Sequence, residues 1–318
     1  MGQSVVRPIK PDPGCVMGIC APSSPVDRKS IEAAADFLSK RGHRVKLAEH
    51  LFERRGYLAG SDEHRAEDFN AMFASSDVQL ILVAKGGYGA ARILNRLDYG
   101  VIQSNPKPLV GFSDVTAIQT ALLSRCNLVS FYGPLAAVGF SGRSASRCYS
   151  GLMDLLSARP GFPLIGSQWP RSVEVLSSGQ AEGRLIGGCL SVLVSLLGTP
   201  FFPNVERPIL FIEDVDEPPY RIDRYLTQLE LAGVLGSASA ILVGSLAHCY
   251  SRRKKPTLTA REVLMEKLGS LGCPVVIGMP FGHIAGGVSL PQGVRARLDT
   301  DTRELELMDS PCANRSPH

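Results

Sequence analysis

The chain has 318 residues, 44% of them hydrophobic and 20% charged, a composition that excludes a disordered or membrane-embedded protein and is long enough for two cores. Its formal net charge of +4 is small for this length and forms no basic stripe with interleaved aromatics, which argues against nucleic acid as a partner. Eight cysteines without CxxC or Cys/His ligand spacing, mostly in apolar surroundings, fit reduced thiols, so neither a disulfide nor a metal site is expected.

The opening MGQSVVRPIKPDPG puts prolines and charge where a secretory leader keeps an apolar core, and no later apolar run reaches membrane-spanning length. A cytoplasmic protein without a membrane partner is therefore expected. Val16 to Ile19 is the first predicted strand, Ala21-Pro22-Ser23-Ser24-Pro25 the turn after it, and Asp27 to Lys40 a helix with Ile31, Ala34, Phe37 and Leu38 on one face. This succession begins a parallel α/β layer. His43 to Leu47 is the next strand, Asp62 to Phe73 a helix, and Val78 to Ala84 a fully apolar strand that runs into Lys85-Gly86-Gly87-Tyr88-Gly89 before a helix from Ala90.

That glycine cluster lacks the third glycine of a dinucleotide fingerprint, because Arg92 stands there, and no acidic residue follows at the distance that would hold a ribose. No nucleotide cofactor is expected. Two readings stay open, a plain tight turn or a backbone that passes close to a substrate and offers N–H donors to an oxyanion.

Lys107 to Leu123, KPLVGFSDVTAIQTALL, changes period at Gly111-Phe112-Ser113-Asp114, from a buried strand to a helix. Ser113 at such a turn is either a helix cap or a hydroxyl lifted clear of the sheet toward free helix-start amides. Leu128 to Phe131 is a further strand, closed by Tyr132-Gly133-Pro134, and Ser144 to Leu156 an amphipathic helix. Proline, glycine and serine then dominate around Trp169, which places a link over 158–182 between a domain at 1–157 and a domain at 183–308, with 309–318 a disordered tail.

The second half restarts with a strand at Gly183 to Ile186 and a helix from Leu190 to Leu197. The strand Ile209 to Ile212 ends on Glu213, and Tyr220 to Ala232 is a helix with Ile222, Tyr225, Leu226 and Leu229 inward. Ala240 to Val243 is a strand, the basic run Arg252-Arg253-Lys254-Lys255 a solvated loop, and Thr259 to Leu268 a helix opened by the capping box Thr259-x-x-Glu262. The strand Val275 to Ile277 leads to His283 in PFGHIAGGVSLPQG, and Val294 to Leu298 pairs with Glu304 to Met308.

Ser113, Glu213 and His283 thus follow predicted strand ends, where α/β proteins hold ligands, and are the parts of a nucleophile, orienter and base. Asp214, Asp216 and Glu217 are expected to pair with Arg221 or Arg224 or to face water. His43, His50 and His64 are expected at the surface, His248 in a loop after a strand, and His318 in the tail.

The segments KGGYGAARIL, GFSDVTA, GGCLSVLVSLLGTP, LFIEDVDEPPYRIDR and GMPFGHIAGGVSLPQG, in this order from about Gly18 to Leu307, resemble the LD-carboxypeptidase family of serine peptidases, which includes the microcin C immunity peptidases. The resemblance implies Ser113 as nucleophile, Glu213 and His283 as its triad partners, and an oxyanion hole from the amides of Asp114 and of Gly86 or Gly87. It also implies an N-terminal parallel sheet of Rossmann or flavodoxin-like build, a smaller C-terminal α/β domain, a site at their interface, a homodimer and no metal or cofactor. An α/β-hydrolase shares the order Ser, Glu, His, but its G-x-S-x-G elbow is broken here by Val115.

The implied substrate is a small peptide, the murein tetrapeptide, whose terminal D-alanine is released at the L,D bond to diaminopimelate during cytoplasmic recycling. Lys85, Tyr88, Arg221 and Arg224 are the candidates to bind it. Lys85 stands where the family commonly has arginine, and Cys189 where it often has asparagine. The interval from Ser113 to Glu213 leaves no room for the extra loop of the microcin branch, which favours the cell-wall substrate. The alternatives are a microcin-type amidase acting on a peptide-nucleotide conjugate and a noncatalytic ligand-binding module.

Overall fold

In the computed structural model, which describes residues 5–166, 169–251 and 257–315, the chain is built on two sheets. The run Arg252 to Lys255 and His318 lie outside the described residues. The strands are, in chain order, β1 (Val16–Cys20), β2 (Arg44–Leu47), β3 (Val78–Val83), β4 (Leu109–Gly111), β5 (Ser130–Tyr132), β6 (Pro163–Ile165), β7 (Glu174–Ser177) and β8 (Gln180–Cys189). They continue with β9 (Ile209–Val215), β10 (Ala240–Ala247), β11 (Val275–Ile277), β12 (Leu290–Gln292), β13 (Arg295–Asp299) and β14 (Glu304–Leu307).

The first sheet has the order β12-β5-β4-β3-β1-β2, with β1 to β5 parallel, which is the flavodoxin-like order with one antiparallel edge strand. Its central strand β3 is apolar apart from Gln79, because helices cover both faces. The order reverses between β1 and β3, so their carboxyl ends open a crevice where the turn at Ser23-Ser24 and the glycine loop 86–89 face each other.

The second sheet has the order β6-β14-β13-β8-β9-β10-β11-β7, parallel from β8 to β11 and antiparallel outside. It has eight strands to the first sheet's six, so the second layer, expected to be the smaller, is the larger in strand number. The difference comes from 158–182, expected to be a link, which supplies β6 and β7 to opposite edges. Edge strands this short show too little alternation to stand out from loop composition. The second half also returns β12 to the first sheet beside β5.

Helix α1 (Arg28–Ser39) starts where the Asp27 carboxylate accepts from the Ser30 amide at 2.8 Å, and buries Ile31, Ala34 and Leu38. The capping box at Thr259 and Glu262 has both arms. Helix Pro219–Leu231 buries Ile222, Leu226 and Leu229, with Tyr225 half-buried. The single helix expected from Ala90 is instead a 3-10 turn, Ala90–Arg96, and a short helix, Tyr99–Ser104, because Asp98 caps a fresh start by accepting from the Val101 amide at 2.9 Å.

Two further expectations are corrected. The tail is ordered through residue 315, where the Ala313 amide donates to Pro8 O at 2.9 Å, Arg315 pairs with Asp12 at 2.9 Å and Cys312 is buried. This partner is the amino-terminal segment, which composition near the tail does not reveal. His43 is buried rather than superficial, 2.8 Å from Tyr149 Oη and 3.5 Å from Cys15 Sγ. All eight cysteines are free thiols. No helix among the described residues is long and apolar enough to cross a membrane.

One apolar core fills the first sheet and continues through Leu185, Phe211 and Phe281 into the second, while another lies beneath helix Pro219–Leu231. The continuity holds the two layers in register around whatever lies between them.

Candidate active site

The chain leaves β4 at Gly111 and enters a 3-10 turn, Ser113–Val115, that leads into helix Thr116–Cys126. Ser113 has φ +67, a left-handed conformation that a serine adopts only when its surroundings impose it. Its side chain makes no capping bond, and its Oγ lies 3.1 Å from His283 Nε2. The capping alternative is thus not what the fold uses.

His283 follows β11 in a loop held by Glu213, a fully buried residue of β9. Glu213 Oε2 is 2.7 Å from His283 Nδ1 and accepts from the His283 amide at 3.1 Å, which sets both the ring and its backbone. Gly282 lies at φ +97, and a Cβ there would come within 2.4 Å of the same oxygen, so only glycine lets the loop approach. The Phe112 ring packs edge-on against the imidazole, centroids 4.9 Å apart.

The remaining Glu213 oxygen accepts from Tyr132 Oη at 2.5 Å, and Tyr132 Oη in turn accepts from the Ser113 amide at 3.3 Å. Burial and the adjacent carboxylate hold the Tyr132 phenol well above its ordinary pKa, so it stays a donor. Tyr132 was read only as the close of a strand. Its position at the carboxyl end of β5, the strand beside the one that delivers Ser113, is the signal that could have singled it out.

The glycine loop presses on this turn. A Cβ on Gly86 would stand 3.0 Å from Ser113 Cβ, whereas one on Gly87, at φ +106, would run into Ser24 Oγ. Ser24 fastens the loop: its amide donates to Gly86 O at 3.2 Å, and its hydroxyl accepts from the Tyr88 amide at 3.1 Å. The buried Asp114 carboxylate accepts from the Ala90 amide at 2.8 Å, and burial raises its pKa against Ser23, that amide and Arg65. Arg65 is itself buried, donating to Pro22 O and, at 2.9 Å, to Gly89 O, and pairing with Asp62. A charged residue amid the buried face of its helix was the clue to this brace.

The candidates for substrate contact divide between the glycine loop, which carries Lys85 and Tyr88, and helix Pro219–Leu231, which carries Arg221 and Arg224. Lys85 is exposed at the head of the glycine loop, and Tyr88 packs edge-on against Tyr57, centroids 5.6 Å apart. Arg221 pairs with Glu217 at 3.2 Å, and Arg224 lies over the Tyr220 ring. Asp214, expected to meet an arginine or water, is instead buried and accepts from the Ser191 and Val215 amides, each at 2.8 Å. A carboxylate at the start of a short helix satisfies its orphan donors. The Cys189 amide donates to Thr116 Oγ1 at 3.0 Å, joining the end of β8 to the helix behind Ser113. An apolar cavity of about 110 Å³, lined by Phe112, Tyr132, Leu135, Gly282 and Ile284 among others, opens beside His283.

Sequence models of the LD-carboxypeptidase N-terminal and C-terminal domains match residues 17–133 and 182–298. The chain belongs to the LD-carboxypeptidase family. Within it, the chain is 36% identical over 287 residues to the probable murein peptide carboxypeptidase of Bacillus subtilis, covering 90% of this chain and 89% of that one. It is 32% identical over 290 residues to the murein tetrapeptide carboxypeptidase of Pseudomonas aeruginosa, covering 89% and 92%. The structure of the microcin self-immunity protein MccF in complex with glutamyl sulfamoyl guanosine superposes with a TM-score of 0.89 over 96% of this chain and 99% of that one, at 24% identity, a likeness of fold.

Proposed function

We propose that this LD-carboxypeptidase family member is a serine peptidase that releases the terminal D-alanine of the murein tetrapeptide at the L,D bond to diaminopimelate. The observation that carries the reading is the series Ser113 Oγ, His283 and Glu213, linked at 3.1 and 2.7 Å. Those are hydrogen-bonding distances for a base and the proton it removes.

In this mechanism neutral His283 takes the Ser113 proton as Oγ attacks the scissile carbonyl, and Glu213 holds the tautomer and stabilises the imidazolium. The tetrahedral oxyanion rests on the amides of Asp114 and of Gly86 or Gly87, and removal of one such donor costs on the order of a hundredfold. His283 then protonates the departing D-alanine, and water hydrolyses the acyl-enzyme. Tyr132 keeps the second Glu213 oxygen occupied, so the carboxylate cannot rotate away from the ring. We assign the substrate's terminal carboxylate to Lys85, since it borders the loop that touches Ser113 while Arg221 is already paired.

The similarity to murein peptidases at 36% and 32% identity favours the cell-wall substrate. A cytoplasmic setting and a homodimer belong to the same proposal, the latter testable by light scattering. Incubation of wild type and Ser113→Ala with murein tetrapeptide and with an aminoacyl sulfamoyl adenosine tests the reading. D-alanine release abolished by the substitution is expected. Cleavage of the nucleotide conjugate alone would transfer the assignment to an immunity-type amidase, and binding without cleavage of either would leave a ligand-binding module.

A further inference from the structure

Helix α2 (Asp62–Ala74) and the loop that precedes it bring together three side chains that have no part in the triad. His50, Glu53 and His64 each present one donor atom, and the three atoms lie within 4.8 Å of one another. The two imidazoles stack with centroids 4.1 Å apart and planes 21° from parallel. Two imidazole nitrogens and a carboxylate oxygen are the donor set of a borderline divalent cation.

The cluster has an outer shell as well. The buried Asp68 carboxylate lies 3.0 Å from His50 Nδ1 and accepts from the His50 amide at 3.1 Å. That contact assigns the N–H to Nδ1 and leaves the lone pair on Nε2, the arrangement in which carboxylates orient metal-binding histidines. Gly60, at φ +94, is tucked against Glu53, where a Cβ would stand 2.5 Å from Oε2, so the backbone is shaped around this carboxylate. His64 Nδ1 lies 2.9 Å from Glu53 Oε2, so this ring and the carboxylate already converge on one point, where a cation would take the place of the shared proton.

We propose that His50, Glu53 and His64 bind one zinc-type divalent cation, with water completing the shell and Asp68 orienting His50. The absence of cysteine spacing does not bear on this site, because its donors are histidine and glutamate taken from a loop and a helix. The bound ion would clamp the loop before α2 to the first turn of that helix. Arg65, the residue after His64, extends from the same turn to Pro22 O and Gly89 O, so the clamp acts on the brace behind the glycine loop.

Chelator-treated full-length protein titrated with Zn²⁺ in a calorimeter tests the proposal, with Co²⁺ absorption as a second readout of ligand type. One equivalent per chain and a zinc-dependent rise in melting temperature are expected. His64→Ala and Glu53→Gln, at side chains 42% and 39% exposed and so without consequence for folding, should each weaken binding at least tenfold. Asp68→Asn should weaken it by about 10- to 100-fold, the usual effect of losing an outer-shell partner, and Ser113→Ala should leave it unchanged. No saturable binding, or binding that survives both ligand substitutions, would overturn the proposal.

Discussion

Among the described residues, two buried carboxylates each hold a histidine, and the two pairings face different things. Glu213 holds His283 Nδ1 at 2.7 Å, and the opposite nitrogen meets a serine hydroxyl at 3.1 Å. Asp68 holds His50 Nδ1 at 3.0 Å, and that ring stacks on His64 beside Glu53. The same second-sphere chemistry therefore prepares a proposed base in one place and a proposed metal ligand in the other. The difference lies in what stands beside each ring, a single polarisable hydroxyl at His283 Nε2 or a set of donors around His50.

The largest expected effect tests the first member of this comparison. Glu213→Gln preserves shape but favours the wrong tautomer, so D-alanine release should fall by about 10⁴-fold with the fold intact. The matching Asp68→Asn should weaken zinc binding by about 10- to 100-fold and lower D-alanine release far less than Glu213→Gln does, since Asp68 reaches the glycine loop only through the Arg65 brace. Equal losses in the two variants would erase the distinction.

A smaller loss, on the order of a hundredfold, is expected for Gly86→Ala, whose added carbon would stand 3.0 Å from Ser113 Cβ and displace the nucleophile. It should appear in kcat with the melting temperature little changed. Tyr132→Phe should cost roughly tenfold, because one oxygen of a buried carboxylate loses its donor. If kcat is unaffected over the whole pH profile, Tyr132 serves packing rather than positioning.

The smallest effect concerns the Asp114 carboxyl and is read in stability. Burial raises this carboxyl above its ordinary pKa, so its contribution to stability is fully present in acid and is lost as pH rises through the folded-state value. Asp114→Asn keeps an oxygen for the Ala90 amide and should gain stability over wild type between about pH 4 and pH 7, read from denaturant midpoints. A variant less stable at neutral pH would mean that attraction to Arg65 outweighs burial.

Much of the fold was legible because strands such as β3 and helices such as α1 carry their period in neighbouring residues. The parts that escaped were those whose partners lie far along the chain. The strands β6 and β7 exist only as edges of a sheet assembled elsewhere, and the tail is ordered by residues near the amino terminus. Of the site, Ser113, Glu213 and His283 were visible as polar residues at strand ends. The Ser24 fastening, the Arg65 brace and the buried role of Asp214 were not, since a side chain reaching backbone in another loop leaves no spacing to read.

The order of elements, the glycines at the sharp turns and the succession serine, glutamate, histidine were determined by the sequence alone, because each is a property of short stretches of chain. Tertiary structure alone decided that Tyr132 would bridge to Glu213 across 81 residues, that His283 would meet Ser113 across 170, and that His50 and His64 would stack. Those meetings depend on how two sheets pack through a shared core, and packing is a property of the whole chain that local patterns do not encode.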